Sequence, residues 1–211
     1  MDLLFQNPVA FVIFAICLVI AISVHEFSHA LAADYLGDPT PRLQGRLTLN
    51  PLAHLDPFGT LLLFLAGFGW GKPVVFDPFN LRNPRRDAAI ISLAGPVSNI
   101  LIAVAASILL RLFSSFLLTS FIGLFLELLI RLNITLAVFN LIPIHPLDGF
   151  KIVGGFLSPQ QAREWYSLER YGFILLFLLL VPLVGVAPIS RILSPILNFL
   201  IPLFIPQSGF T

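Results

Sequence analysis

The sequence predicts an all-α polytopic membrane protein with five to six transmembrane helices, a re-entrant segment and room for a small β-sheet near the cytoplasmic face. Of the 211 residues, 57% are hydrophobic and only 11% are charged, whereas soluble domains carry roughly 25% charged residues. The mean hydropathy is +0.95. The apolar residues also gather into runs long enough to cross a bilayer. Most of the molecular surface must therefore face lipid.

Five apolar runs are candidates for full crossings, since a helix needs about 20 residues to span the hydrocarbon layer. They are 8–36, 88–110, 116–147, 171–187 and 189–205. A sixth run, 58–70, is shorter and contains three glycines, which is more typical of a re-entrant or interfacial piece. We expect one intramembrane domain, 1–211, with a core at 8–150 and accessory helices at 171–205.

The distribution of basic residues indicates which loops face the cytoplasm, because cytoplasmic loops are enriched in Lys and Arg. If the run 58–70 does not cross, nine basic residues share one side and three lie outside or near the outer edge. The nine are Arg42, Arg46, Lys72, Arg82, Arg85, Arg86, Lys151, Arg163 and Arg170. This imbalance favours five crossings. It also places "GRLTLNP" and "KPVVFDP", whose composition is strand-like, at the cytoplasmic face.

Several classes of protein and of site are excluded or disfavoured by composition. The net charge of +1 gives no indication of nucleic-acid binding. Cys17 is the only cysteine, which excludes an internal disulfide and a cysteine-based zinc cage. No basic residue precedes the first apolar run, so we expect this run to be a span and not a cleaved signal peptide.

The first apolar run contains the pattern H-E-x-x-H at residues 25–29. Residues four apart lie on one face of a helix, so His25 and His29 can reach one ion. Glu26 lies about 100° around the helix from His25, where it can take a proton from water beside that ion. The alternative is a pair of buried histidines bonded to other helices. Ionisable groups in spans are rare and usually functional, and three of them fit one mechanism here, so we predict a catalytic zinc site.

A catalytic zinc needs a third protein ligand, for which His54, His145 and Asp148 are the candidates. Asp148 lies in "FNLIPIHPLDGF", residues 139–150, where two prolines must interrupt the incoming helix. Zn²⁺ with two neutral histidines, one aspartate and one hydroxide is also electrically neutral, which suits a low-dielectric site. Without the first motif, Asp148 would be interpreted as a cap or turn residue. His54 could approach the zinc as a gate, although a histidine in an interfacial turn is the favoured interpretation.

The two motifs together resemble those of the site-2 protease family of intramembrane zinc metalloproteases. "HEFSH" lies in the first span and "NLIPIHPLDG" late in a central span, and "SLAGPVSN" at 92–99 is also typical. The resemblance covers roughly residues 8–150. Members often carry a PDZ domain or paired CBS domains. Neither is found in this sequence, so we expect a minimal form of the enzyme.

The resemblance implies one Zn²⁺ per chain held by His25, His29 and Asp148, with Glu26 as the general base. It further implies that Asn140 holds the substrate backbone near the metal. The expected activity is cleavage of transmembrane segments of other membrane proteins, in regulated intramembrane proteolysis. The expected partners are a transmembrane protein substrate and the lipid bilayer, without nucleic acid. The enzyme would be a multi-pass protein of the cell membrane whose active site opens toward the cytoplasm.

Two other functions remain open at this stage. A zinc-binding membrane scaffold without catalysis (a pseudoprotease) would need no base, so the intact Glu26 argues against it. A zinc transporter often shows repeat symmetry, and the sequence has no second half of this kind.

Overall fold

The computed structural model of the chain describes residues 7–66, 70–113, 120–182 and 186–206. Within these ranges the chain folds into α-helices joined by irregular segments and two short 3-10 turns. The helices are α1 Pro8–Tyr35, α2 Thr40–Leu43, α3 Pro57–Ala66, α4 Pro84–Leu112, α5 Phe121–Asn140, α6 Asp148–Phe156, α7 Pro159–Ser167, α8 Glu169–Leu180 and α9 Pro188–Phe204. The 3-10 turns are Pro51–Ala53 and Pro78–Asn80.

Local sequence explains where several helices begin. The Asn7 side chain accepts a hydrogen bond from the Ala10 amide at 3.0 Å, immediately before α1. Ser158 and Gln161 form a reciprocal capping box at the start of α7. A side-chain cap satisfies an amide that the helix leaves without a partner, which contributes about 1 kcal/mol. Proline occupies the first turn of α1, α4, α7 and α9, where its missing N–H costs nothing.

Three helices of the described chain are long and apolar enough to cross a membrane, namely α1, α4 and α5. They coincide with the predicted spans at 8–36 and 88–110, and with the described part of the span at 116–147 up to Asn140. The last two helices are shorter, with 12 residues in α8 and 17 in α9. The fourth and fifth crossings therefore stay predictions.

The three long helices pack against one another around small and aliphatic side chains. The buried cluster contains Cys17, Ala103, Ala106, Leu110, Leu126, Leu129, Ile130, Ile134 and Ile205. Alanines at these contacts allow close approach of the backbones, which drives helix association in lipid, where apolar burial alone gives little gain. Each of the three helices contacts the other two, and α4 makes the most extensive contacts.

The expected β-sheet is not formed within the described ranges, which contain only one isolated bridge, between Leu55 and Gly71. The Lys72 amide also donates to the His54 carbonyl at 2.8 Å. Further pairing is blocked in "KPVVFDP", because its two prolines have no N–H to donate. The Val74 amide is also engaged by a side chain, Glu26. The segments meet as loops instead of strands.

The apolar run 58–70 begins as α3 and returns to its starting point. Residues 67–69, which include two of its three glycines, lie outside the described residues. Its two ends are nevertheless adjacent, because Leu55 and Gly71 are bridged. A Cβ added to Gly59 would lie 2.2 Å from the Trp70 carbonyl oxygen, so the returning chain passes directly over this glycine.

The chain between α5 and α6 is irregular at residues 141–147, as the two prolines there predict. The turn closes tightly after Asp148, since a Cβ on Gly149 would lie 2.3 Å from the Leu141 carbonyl oxygen. Only glycine fits at this close approach. Asp148 is thereby placed as the first residue of α6, facing the long helices.

Candidate metal centre

Two turns of α1 and the start of α6 bring three potential metal ligands together. His25 and His29 are buried, and their ring centroids are 4.6 Å apart. Asp148 Oδ2 lies 3.1 Å from His25 Nε2 and 3.3 Å from His29 Nε2. The candidate ligand atoms of the three residues all lie within 4.8 Å of one another. The predicted ligands therefore converge on one point.

The far nitrogens of both imidazoles face hydrogen-bond acceptors. His25 Nδ1 lies 2.6 Å from Asn99 Oδ1, and His29 Nδ1 lies 2.7 Å from the Ile91 carbonyl oxygen. The neutral form of each ring that satisfies these contacts carries its hydrogen on Nδ1. Each Nε2 then presents a lone pair toward Asp148, which is the arrangement that a metal ligand requires.

The donor set fits a zinc ion. Asp148 Oδ2 is buried and accepts no hydrogen bond from any described residue. Two imidazole lone pairs and a carboxylate oxygen facing one another repel unless a cation lies among them. Two neutral histidines and one carboxylate are ligands that zinc takes in catalytic sites, with a fourth position left for water or substrate.

Helix α4 forms the wall behind the two histidines. A Cβ added to Gly95 would lie 2.5 Å from His29 Nε2 and 2.6 Å from His25 Cε1. Gly95 thus allows α4 to approach the imidazoles more closely than any side chain would permit. "SLAGPVSN" was noted in the sequence as typical of a family, but the need for this glycine was not inferred from it.

Asn99 ties the metal centre to all three long helices. Besides meeting His25, its amide nitrogen donates to Asn133 Oδ1 at 2.8 Å and to the Ala21 carbonyl at 3.2 Å. Asn133 donates in turn to the Leu129 carbonyl at 2.8 Å. Asn99 and Asn133 are fully buried. Sequence reasoning missed both, although an amide within an apolar span is itself a signal of function.

Glu26 lies at the edge of the centre and is held by a loop. Its Oε2 accepts a hydrogen bond from the Val74 amide at 2.8 Å. The bond occupies one of the two carboxylate oxygens. A backbone amide has no sequence signature, so this contact could not be read from residue types.

The remaining predicted residues lie apart from the three ligands. His54 is fully buried, and its Nε2 lies 2.7 Å from the Thr48 carbonyl oxygen, so it stabilises a loop. His145 lies 3.5 Å from Glu169. Neither belongs to the described metal-ligating group. Asn140 is half-buried at the end of α5, and its role toward substrate stays a prediction.

Comparison with known proteins places the chain among zinc metalloproteases. Residues 117–179 match peptidase family M50. The protein named "Putative zinc metalloprotease YwhC" of Bacillus subtilis is 40% identical over 189 residues, which cover 87% of this chain and 84% of that protein. The proteins named "Putative zinc metalloprotease Rip2" are 31% identical in Mycolicibacterium smegmatis and 30% identical in Mycobacterium tuberculosis, each over 76% of this chain. The matched region spans 63% of each Rip2 protein. No solved structure matches the chain.

Proposed function

This chain belongs to peptidase family M50, and on that premise we propose that it is a zinc-dependent endopeptidase that cleaves transmembrane segments of other membrane proteins. The convergence of His25, His29 and Asp148 beside Glu26 is the observation that carries the proposal. The names of the relatives support zinc, and the three converging side chains are enough for one ion per chain. The apolar helices support a site inside the bilayer. Such an enzyme would act in regulated intramembrane proteolysis.

The residues of the centre have separate tasks in the proposed reaction. Zinc, when held by the two histidines and Asp148, supplies a Lewis acid for the scissile carbonyl. Glu26 takes a proton from the attacking water and returns it to the leaving amine. The Val74 amide fixes the Glu26 carboxylate, while Asn99 fixes the His25 ring.

A transmembrane substrate must unwind locally, because a helix uses its own carbonyls in hydrogen bonds. Asn140 is the proposed contact for the exposed substrate backbone. Its Nδ2 donates to the Leu136 carbonyl at 3.0 Å, which leaves Oδ1 for a substrate amide. The backbone of 41–50 or of 71–77 could pair with an extended substrate in the same way. Asn140→Ala should then raise KM without lowering zinc content or the melting temperature.

The proposed topology has the active site open toward the cytoplasmic face of the cell membrane. The adjacency of Leu55 and Gly71 supports a run at 58–70 that enters and leaves on one side. Two exposed positions test this in a Cys17→Ala background, namely Gln44→Cys and Phe79→Cys. In intact cells, neither should react with a membrane-impermeant thiol reagent until the cells are opened. Labelling of Phe79→Cys alone from outside would mean that the run crosses.

The decisive experiment compares wild-type protein with Glu26→Gln, both purified and reconstituted in lipid with a model substrate that has one transmembrane segment. Wild type should cleave the substrate, and a chelator should stop cleavage. The variant should keep one zinc per chain and lose activity by about 10²- to 10⁴-fold, the usual contribution of a general base. Equal cleavage by both proteins would contradict the role of Glu26. Zinc without any cleavage would favour a scaffold, and zinc flux into vesicles would favour a transporter.

A further inference from the structure

A cavity lies outside the metal centre, where the start of α4 meets α6 and α7. Its volume is about 440 Å³, within the range of roughly 300–1,000 Å³ that is typical of small-molecule sites. Three of its lining residues are basic, and each comes from a different helix: Arg85 from α4, Lys151 from α6 and Arg163 from α7. Three basic side chains from three helices thus border one concave site.

The three cations have no carboxylate partner within the described part of the chain. None of them forms an ion pair or a side-chain hydrogen bond there. Lys151 Nζ instead lies over the Phe76 ring, 4.5 Å from its centroid. Like charges held in one cavity repel one another. An anion inside the cavity would therefore stabilise the arrangement.

Two acids of the neighbourhood have partners of their own. Asp87 is buried and accepts a hydrogen bond from the Asn83 amide at 2.8 Å. Glu169 pairs with His145. Burial lowers the pKa of Lys151, and the opposing attraction of Asp148, Glu169 and Glu26 does not restore it. Burial thus leaves the ammonium group poorly solvated.

Tyr166 adds a neutral donor to the same wall. Its hydroxyl makes no hydrogen bond with any described residue. Burial raises the pKa of this hydroxyl, an effect that nearby Arg85 reduces and Glu169 adds to, so it keeps its proton at neutral pH. A hydroxyl donor beside two guanidinium groups is chemistry that recognises phosphate oxygens.

The position of the cavity indicates where the anion comes from. Helix α4 is a candidate membrane span that begins at Pro84, and Pro84 and Arg85 both line the cavity. The first turn of a spanning helix lies near the headgroup region. Phe79 and Phe156 are close in sequence to the lining residues Pro78 and Pro159. Their side chains are 97% and 86% exposed. Exposed phenylalanine side chains can be buried at the boundary between headgroups and acyl chains.

We propose that this cavity binds a phosphate ester through Arg85, Lys151, Arg163 and Tyr166, and that the position of the cavity makes an anionic phospholipid headgroup its first source. Basic pockets between membrane helices bind such headgroups. A soluble phosphate ester has the same chemistry and is separated from the lipid by experiment. The proposal requires only that α4 enters the interface at its first turn, so it stands independently of proteolysis.

The test uses the full chain in nanodiscs of phosphatidylcholine with a small fraction of phosphatidylglycerol, followed by native mass spectrometry of the released protein. Wild type should retain one phosphatidylglycerol per chain. A triple variant, Arg85→Gln, Lys151→Gln and Arg163→Gln, should bind it on the order of 100-fold more weakly, from about fivefold per cation. The matched control is Arg82→Gln, Arg86→Gln and Arg170→Gln. It removes the same charge outside the cavity and should bind like wild type.

A parallel arm offers glycerol 3-phosphate in phosphatidylcholine nanodiscs and follows the thermal unfolding midpoint. A rise in the midpoint of wild type with this compound, lost in the triple variant, would support the site with a soluble source. Equal lipid binding by the triple variant and its control would overturn the proposal, as would failure of both probes to bind wild type. If the triple variant does not fold, Lys151→Met keeps the side-chain stem and should still weaken binding about fivefold. Unchanged affinity in that variant would also overturn the proposal.

Discussion

The two sides of the candidate metal centre are held by different kinds of structure, a helix on one side and a loop on the other. On one side, His25 and His29 are held by α4, through the side chain of Asn99 and the backbone of Ile91. On the other side, Glu26 is held by the amide of Val74, which belongs to a loop. The proposed ligands on α1 are thus positioned by packed helices, and the proposed base is positioned by a segment without regular structure. Metal binding and catalysis should therefore be separable by substitution.

The loop side has its own supports. Arg46 is buried and donates to the carbonyls of Ala53 and Lys72, which ties two loop segments together. At the far end of the segment, Asp38 accepts a hydrogen bond from the Asp77 amide at 2.7 Å. The segment that carries Val74 is therefore fixed at both ends. Its middle is left to meet Glu26.

The largest effect should come from Asp148→Asn, which removes a ligand and leaves two histidines with a poorly ligating amide. We expect loss of zinc and a decrease in kcat/KM of at least about 10⁴-fold, as for other essential catalytic groups. Metal analysis of the purified protein and a cleavage assay measure the two effects. Normal zinc in this variant together with reduced zinc in His54→Ala would show that the third ligand was chosen wrongly.

Asn99→Ala should lower the affinity for zinc, because it removes the partner of His25 while leaving all three ligands in place. Loss of the partner of a metal-bound histidine typically lowers metal affinity by about 10- to 100-fold. Competition with a zinc-binding dye gives the affinity directly. Ser98→Ala is the matched control, because Ser98 is also buried on α4 but bonds only to Gly95 within the same helix. Equal affinities in the two variants would remove Asn99 from the metal centre.

Val74→Pro should affect the loop side alone, because proline has no amide to donate to Glu26. Zinc content should not change, and kcat should decrease by about tenfold, the equivalent of one hydrogen bond to a charged group. KM should stay within about twofold if the loop only positions the base. Val75→Pro changes the neighbouring, exposed residue and serves as the control. A decrease in zinc content in the Val74 variant would show that the two sides are coupled.

The smallest effect should be a pH-dependent one at the far end of the loop. Burial alone would raise the pKa of Asp38, but hydrogen bonds from Thr40, Asn80 and the Asp77 amide outweigh it, so the net pKa is lowered. A lowered pKa in the folded state stabilises the fold above the unfolded value of about 3.8. This stabilisation disappears as pH falls through the folded pKa. Asp38→Asn should therefore melt below wild type at pH 6, with the difference shrinking below pH 4.

Sequence features that act locally predicted much of this site. The spacing of His25 and His29 on one helix face is a property of any helix, and the prolines before Asp148 break any helix. Gly95, Asn99 and the Val74 amide act through contacts between segments that are distant in the sequence. A pattern of neighbouring residues therefore cannot predict them. The same reason explains the missing sheet. The composition at 72–78 is strand-like, but the segment forms no strand. Its two prolines have no amide hydrogen to donate, and its Val74 amide bonds to Glu26.

The Asn99–Asn133 pair also bears on how the three long helices assemble. Within a bilayer, a shift of α4 by one helical turn relative to α1 and α5 would take from Asn99 its partners on both helices and from Asn133 Oδ1 its donor, an expensive outcome in hydrocarbon. Leucine and alanine contacts tolerate such a slip far better. The pair therefore fixes the axial register of the three helices, and it does so without a metal ion. His25 is hydrogen-bonded to Asn99 of the same pair. Newly made protein would therefore already hold its histidines at the depth in the bilayer where the metal binds.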